Sequence, residues 1–272
     1  MTAEDSISST EPEGQGDLSS ASMEALAPVL LTPARSMEEL RQAYRLVYHS
    51  YLDRGYIEAN EMGERFGFHN LLPETTTFVG MLKTTVIATV TLVVDTSMGL
   101  PMEEIYHDEL EPLRREGQRL GEVTMLADRR QQFRRTLPMV LALFRVLMDH
   151  AIEVAKIDQL CITLNPRHAD FYRELLHFHP LGGEKSYPSV RENPALAMRF
   201  PLETLGGLLK QDARYRGLYE RTETIRRAGE ESRYRLTSKA ARELAGRLAE
   251  TGGLTEGQRE YLRQQYGPTV LK

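Results

Sequence analysis

The stretch Gly121-Glu122-Val123-Thr124-Met125-Leu126-Ala127 opens the segment that decides the fold. An arginine-rich turn over 128–136 follows, then an apolar-striped run to about residue 155. Gln159-Leu160-Cys161-Ile162-Thr163-Leu164 and Asn165-Pro166-Arg167-His168-Ala169-Asp170-Phe171-Tyr172 close it. The β-branched, uncharged runs read as strands and the 3.6-residue stripe between them as a helix, so 121–172 is a βαβα unit. A strand-helix-strand connection of this kind predicts a parallel pair joined by a right-handed crossover. Glu122 is the one acid in its strand. Burying a carboxylate without a partner costs several kcal/mol, on the order of a lost charge-assisted hydrogen bond, so this residue needs a physical reason.

Within the unit, Leu137, Val140, Leu141, Phe144, Leu147, Met148, Ala151 and Ala155 fall on one helical face, with Arg145, Asp149, Glu153 and Lys156 on the other. Thr136 is placed to cap that helix. Asn165 with Pro166 is a strong helix start, because the asparagine side chain can accept a backbone N–H and proline suits the first turn.

Upstream, residues 1–30 are rich in Ser, Glu, Gly and Ala without apolar periodicity, and are expected to be a disordered tail. Ser36 and Glu39 form a capping-box pattern ahead of a helix over about 37–53. A long irregular loop to Pro73 follows, of the kind that often carries function. Thr75–Met81 and Thr85–Val94 predict a hairpin. Residues 102–120 are expected to be helical in part. Downstream, Glu184–Leu202 holds two more strands, the second over Ala195–Phe200. The core domain is therefore 31–202, with 203–272 a helical extension.

At 272 residues the chain is long enough to bury its own core. A single cysteine excludes an intramolecular disulfide and, with no long apolar run, predicts a cytoplasmic protein without a membrane span. The net charge of -5 argues against a nucleic-acid binder. Positive charge is local: Arg114, Arg115, Arg119, Arg129, Arg130, Arg134 and Arg135 fall in one short interval, where they either meet an anionic ligand or form a solvated surface.

No metal-binding spacing, nucleophile elbow, Walker loop or GxGxxG occurs, and mid-strand Cys161 reads as an inert buried thiol. What remains is a site of Glu122 and Thr124, the turn 128–136, and Asn165 to Tyr172. Ligands of open sheets bind beyond the carboxyl ends of parallel strands, and a helix start with flanking arginines suits a phosphate there.

The run Asn165 to Tyr172 resembles the asparagine, alanine and tyrosine signature of the GNAT N-acetyltransferase fold. In that fold two parallel strands splay to admit the pantetheine arm of an acyl donor. The element order, with Leu71-Leu72-Pro73-Glu74-Thr75, Asp95-Thr96-Ser97-Met98-Gly99-Leu100-Pro101 and Gly121-Glu122-Val123-Thr124, is similar to long-chain N-acyl amino acid synthases of the FeeM type. These are relatives of the acyl-homoserine-lactone autoinducer synthases. The resemblance covers about 37–202. It implies an α/β GNAT-like acyltransferase fold, a mixed central sheet flanked by helices. It also implies roles: Glu122 as base, Tyr172 as proton donor to the leaving thiol, and Arg45 with Thr124 and Asn165 on the acceptor. Arg129, Arg130, Arg134, Arg135 and Thr136 would take the phosphopantetheine.

Two departures bear on the donor. Met125 stands where the lactone synthases carry an arginine, and Arg129 to Pro138 contains no glycine, so the backbone loop that cradles a coenzyme A pyrophosphate is missing. An arginine-rich turn suits the single phosphodiester and acidic surface of an acyl carrier protein. The expectation is a fatty acyl transfer from that carrier to an amino acid or similar small amine, with no tightly bound cofactor and no metal. A coenzyme A-dependent N-acetyltransferase and a non-catalytic acyl or carrier-protein binder stay open. So do the structural alternatives: Glu122 paired to an arginine such as Arg45, and Tyr172 packed in the core.

Overall fold

The computed structural model describes residues 26, 28–129, 136–222, 226–227 and 233–271. Of the tail expected over 1–30, residues 1–25 and 27 lie outside that range, and the end of it is ordered instead: Leu26 is buried, and Val29 and Leu30 belong to a strand. Arg130, Arg134 and Arg135 also lie outside that range, and of Thr136 and Leu137 only the backbone is described.

The chain enters as a strand that alternation did not reveal, β1 (Val29–Pro33), whose Val29 and Leu31 are fully buried. It pairs antiparallel with β2 (Thr76–Leu82), after helix α1 (Met37–Leu52) and the long loop. Ser36 caps α1 by accepting the Glu39 N–H at 3.2 Å. The loop ends in a 3-10 turn, Phe68–Leu71. The hairpin is completed by β3 (Thr85–Val94), then come α2 (Glu103–Arg115) and β4 (Leu120–Asp128). Helix α3 (Thr136–Glu153) crosses to β5 (Gln159–Leu164), which lies parallel to β4 as expected.

After Asn165 the chain takes a 3-10 turn, Pro166–His168, before the short α4 (Ala169–Glu174). Asn165 Oδ1 accepts the Arg167 N–H at 3.2 Å. Strands β6 (His179–Pro180), β7 (Lys185–Tyr187) and β8 (Asn193–Pro201) complete this half. Among the described residues the sheet runs β6-β8-β5-β4-β3-β2-β1-β9, and β7 pairs with β8. It is mixed and mostly antiparallel, with β4 and β5 the central parallel pair.

Residues beyond 202 wrap both faces. Helices α5 (Leu205–Gln211) and α6 (Ala213–Arg221) cover the outer side of α3. Arg145 and Asp149, on the polar face of α3, meet α6 there. The Arg145 guanidinium lies 3.4 Å from the Tyr219 ring centroid, and the Tyr219 hydroxyl donates to Asp149 Oδ1 at 2.6 Å. The chain then passes the sheet edge as β9 (Arg226–Arg227), parallel to β1. It ends as α7 (Ser238–Glu250) and α8 (Glu256–Tyr266) on the face that carries α1. Tyr234 N–H donates to the Ala34 carbonyl at 2.7 Å and Tyr266 hydroxyl to the Leu71 carbonyl at 2.6 Å, tying this segment down.

Candidate active site

Pairing between β4 and β5 runs from Leu120 opposite Gln159 to Val123 opposite Ile162, and then stops. On its other side β4 loses register with β3 between Thr89 and Thr91, so Met125 and Leu126 together oppose Val90. Met125 sits at φ 54°, the left-handed region that a methionine seldom adopts. A bulge of this kind leaves backbone unpaired and bends the strand. Asn70 steadies it by donating to Met125 Sδ at 3.1 Å. The strands thus part where Thr124, Thr163 and Leu164 begin to line a cavity of about 1130 Å³.

Glu122 lines that cavity at 2% exposure. Its Oε2 accepts the Met102 N–H at 2.7 Å, and among the described residues no cation lies within ion-pair distance. Burial pushes its pKa up to about 8, the Met102 bond pulls it back in part, and neighbouring Glu103 adds to the rise. The donor is held by a braced turn. Gly99 takes φ 70°, and its Cβ position is occupied by the Glu103 carboxylate, which accepts the Leu100 N–H at 2.8 Å. Arg114 fixes the turn by gripping Asp95 with Nε at 2.7 Å and Nη2 at 2.9 Å while also bonding Glu103.

Tyr172 is 7% exposed, and its ring packs edge-on against Phe144, Phe171 and Phe178. It is therefore a core residue, yet it also lines the cavity, and its hydroxyl makes no hydrogen bond among the described residues. Burial raises its pKa, with Tyr51 adding to the shift. Thr124 and Asn165 line the same space. Arg129 is exposed, beyond β4, with its N–H donating to the Ile87 carbonyl at 2.9 Å.

Arg45 is not among the lining residues. Its guanidinium stands 3.4 Å from both Glu38 and Glu64. Sequence reading did not single out the arginines that do line the cavity, Arg54 and Arg65, which lie in the irregular loop. Arg65 Nη2 donates to the Ser189 carbonyl at 3.2 Å. Tyr51 and Tyr187 complete this wall, and burial raises the pKa of each. Two more polar atoms on the wall, His69 Nε2 and Thr163 Oγ1, are buried without a hydrogen-bond partner among the described residues. Burial lowers the His69 pKa, so its ring stays neutral. Polar atoms left open in a cavity wall mark places where a ligand's polar groups are received.

Cys161 lies in the fully buried part of β5, and burial, followed by the Glu122 charge, pushes its thiol up to about 12. Among the described residues no cluster of metal-ligating side chains occurs, and no helix is long and apolar enough to cross a membrane.

Residues 42–201 match the family model of the N-acyl amino acid synthase FeeM. The chain belongs to the FeeM family. It is an acyltransferase, built on a mixed α/β fold with a mostly antiparallel central sheet flanked by helices. The solved structure of FeeM, from uncultured soil microbes, is 29% identical at TM-score 0.58, covering 64% of this chain and 90% of that one. BjaI, a coenzyme A-dependent acyl-homoserine lactone synthase solved with S-adenosylmethionine and isopentyl-CoA, shares the fold at 15% identity and TM-score 0.54. That likeness covers 74% of this chain and 93% of BjaI. TofI, solved with an inhibitor and MTA, is likewise similar at 11% identity and TM-score 0.51, covering 71% and 96%. Curated protein sequences give no match to the chain. The FeeM family match stops at residue 201, before the helices that wrap the sheet.

Proposed function

We propose that this FeeM-family enzyme transfers a long-chain acyl group from the thioester of acyl carrier protein to the amine of an amino acid or similar small amine. One observation carries the reading: a buried Glu122 without a cation in ion-pair distance among the described residues, on a large cavity wall beside the point where β4 and β5 part. The donor arm enters that gap with its thioester carbonyl at the Met125–Leu126 bulge, where unpaired backbone can polarise it. The neutral amine attacks the carbonyl carbon. As the N–C bond forms, the nitrogen gives its proton to Glu122, directly or through one water, and as the C–S bond breaks the thiolate takes the Tyr172 proton. A carboxyl held near 8 is matched to proton transfer from an amine at neutral pH. No acyl-enzyme is needed, because the one cysteine is a buried thiol.

In this assignment the acceptor's carboxylate is read by Arg65 and Arg54, which line the same cavity as Glu122, rather than by Arg45, which faces Glu38 and Glu64. Thr124 and Asn165 hold the donor amides or the acceptor backbone. The cavity volume of about 1130 Å³ exceeds what an acetyl group and one amino acid need, since pockets of roughly 300–1,000 Å³ bury drug-sized ligands. The absence of glycine from Arg129 to Pro138 supports a carrier protein as donor. Arg129, Arg130, Arg134 and Arg135 would meet its acidic surface and phosphodiester, with Thr136 at the helix start. Work would take place in the cytoplasm, where that carrier is found.

The test is single-turnover thiol release from palmitoyl carrier protein and from palmitoyl-CoA over a panel of amino acids, with products identified by mass spectrometry. Faster release from the carrier protein, giving N-acyl amino acid, is expected. Turnover confined to coenzyme A thioesters would reassign the donor. Donor binding without product from any amine would make the protein a binder and overturn the enzyme reading of this site.

A further inference from the structure

The cavity is not built by the family-matched residues alone. Leu248, Thr251 and Gly253, from the end of α7 and the turn after it, lie beyond residue 201 and still line it. Leu248 is buried, in one apolar cluster with Phe66 and Met125, both also cavity residues. Thr251 and Gly253 are exposed and form the rim.

This wall is anchored by charge. Glu64, on the cavity and 2% exposed, accepts Arg247 Nη1 at 2.7 Å while Arg45 Nε stands 3.4 Å away on its other oxygen. Taking a carboxylate out of water is costly unless geometry and partners compensate, so this pair fixes the register of α7 against the loop more than it adds stability. Arg247 and Leu248 are adjacent in sequence, so the ion pair sets where Leu248 stands.

The cavity lining mixes two kinds of residue. Glu122, Arg65, Tyr187, Ser189 and Asn193 supply polar groups suited to the acceptor. Phe66, Met125 and Leu248 line the cavity as part of one apolar cluster, suited to a hydrocarbon. We infer that the last turn of α7 is a specificity wall for the acyl chain, with Leu248 the residue that sets how much chain the cavity accepts and Arg247–Glu64 the pair that positions it. The inference rests on the acyl-transfer reading of the cavity.

The experiment measures kcat/KM for carrier-protein donors with acyl chains of 8 to 18 carbons in the wild type, Leu248→Ala and Leu248→Phe. Leu248→Ala is expected to move the optimum to longer chains and Leu248→Phe to shorter ones, with the ratio between chains two carbons apart changing by roughly fourfold per methylene gained or lost. The acceptor KM stays constant in both. Parallel displacement of a fluorescent fatty acid by free fatty acids of the same lengths reports the same shift without turnover. Chain-length profiles that superimpose in folded variants, in both turnover and displacement, overturn the inference. A wild type that makes no N-acyl product yet shows the Leu248-dependent shift in displacement overturns the function and keeps the wall. A loss confined to overall rate or Tm, with unchanged chain ratios, also overturns it.

Discussion

The Met102 backbone N–H reaches Glu122 Oε2 at 2.7 Å, and that single donor is the described polar partner of a carboxyl with 2% exposure. One neutral hydrogen bond offsets only part of the desolvation of a carboxylate, so at pH 7 the folded protein mostly holds the protonated form. The ionised form, which the proposed base would require, gains population as the pH rises toward 8.

Glu122→Gln keeps the volume and can still accept from Met102. It is expected to slow acyl transfer by about 10²–10⁴-fold, the usual range for a lost general base. Product formation by mass spectrometry and a circular dichroism spectrum matching the wild type check it.

Stability should carry the opposite signature. The folded carboxyl titrates near 8 and the unfolded one near 4.5, so the folded state holds more protons between them and stability falls as pH rises through that window. Above about pH 8 the cost is constant. Glu122→Gln removes it, so the variant's Tm should exceed the wild type's at pH 8–9 and approach it near pH 4–5. The wild-type kcat/KM should rise from pH 6 and level off above about 8, and scanning calorimetry with initial rates across that range reads both.

Arg114→Ala should loosen the turn that presents Met102 and leave Glu103 without its guanidinium. Burial acts to raise the Glu103 pKa, but hydrogen bonds led by Arg114 outweigh it and hold it low. Loss of a charge-assisted pair to Asp95 is expected to cost about 1–3 kcal/mol in urea denaturation, and the rising limb of the rate profile should move to higher pH, because Glu103 without its guanidinium raises the Glu122 pKa further.

Tyr172→Phe retains the ring packing on Phe144 and Phe178, and its hydroxyl gives up no hydrogen bond among the described residues, so stability should change by less than about 1 kcal/mol. If the phenol protonates the departing sulfur, transfer from phosphopantetheine thioesters slows by about 10–10²-fold, while an aryl thioester with an acidic thiol is nearly unaffected. Equal losses for both donors would remove Tyr172 from proton transfer.

Arg65→Gln should raise the acceptor KM by about tenfold or more with little change in donor affinity, because it takes one charged partner from a bound carboxylate. An unchanged KM for amino acids, compared with their decarboxylated amines, would move the carboxylate site elsewhere.

Strong local periodicity made the centre of the fold legible. The β4-α3-β5 unit, the hairpin and α1 stand within a residue or two of their sequence bounds because stripe, cap and β-branched run agree there. Strand β1 was hidden in a low-complexity stretch and exists through pairing with β2, a long-range contact no local pattern announces. The pattern set Arg145 and Asp149 on the polar face of α3, but not that Tyr219 of α6 would pack on them, since that contact is tertiary.

The cavity was legible in the same uneven way. Glu122 stood out as a lone acid in an apolar strand, and Tyr172 by its place after a cap. Arg54 and Arg65 gave no signal, because an irregular loop has no period to show which side chains turn inward. A sign was present in that loop's length alone. Arg45 shares a helix face with residues that reach the core, but Glu64, nineteen residues on, draws its guanidinium away.

The placement of Leu248 also ties the site to the order of synthesis. Domains take shape from the amino terminus as the chain emerges, and the sheet, the bulge and Glu122 are all encoded before residue 201. The wall at 247–253 arrives after them, on a helix that follows the passage along the β1 edge. A nascent chain halted before that point lacks Leu248, one member of the apolar cluster that holds Phe66 and Met125. Ribosome-bound intermediates of this protein would therefore be sticky toward fatty acids before they are selective for them.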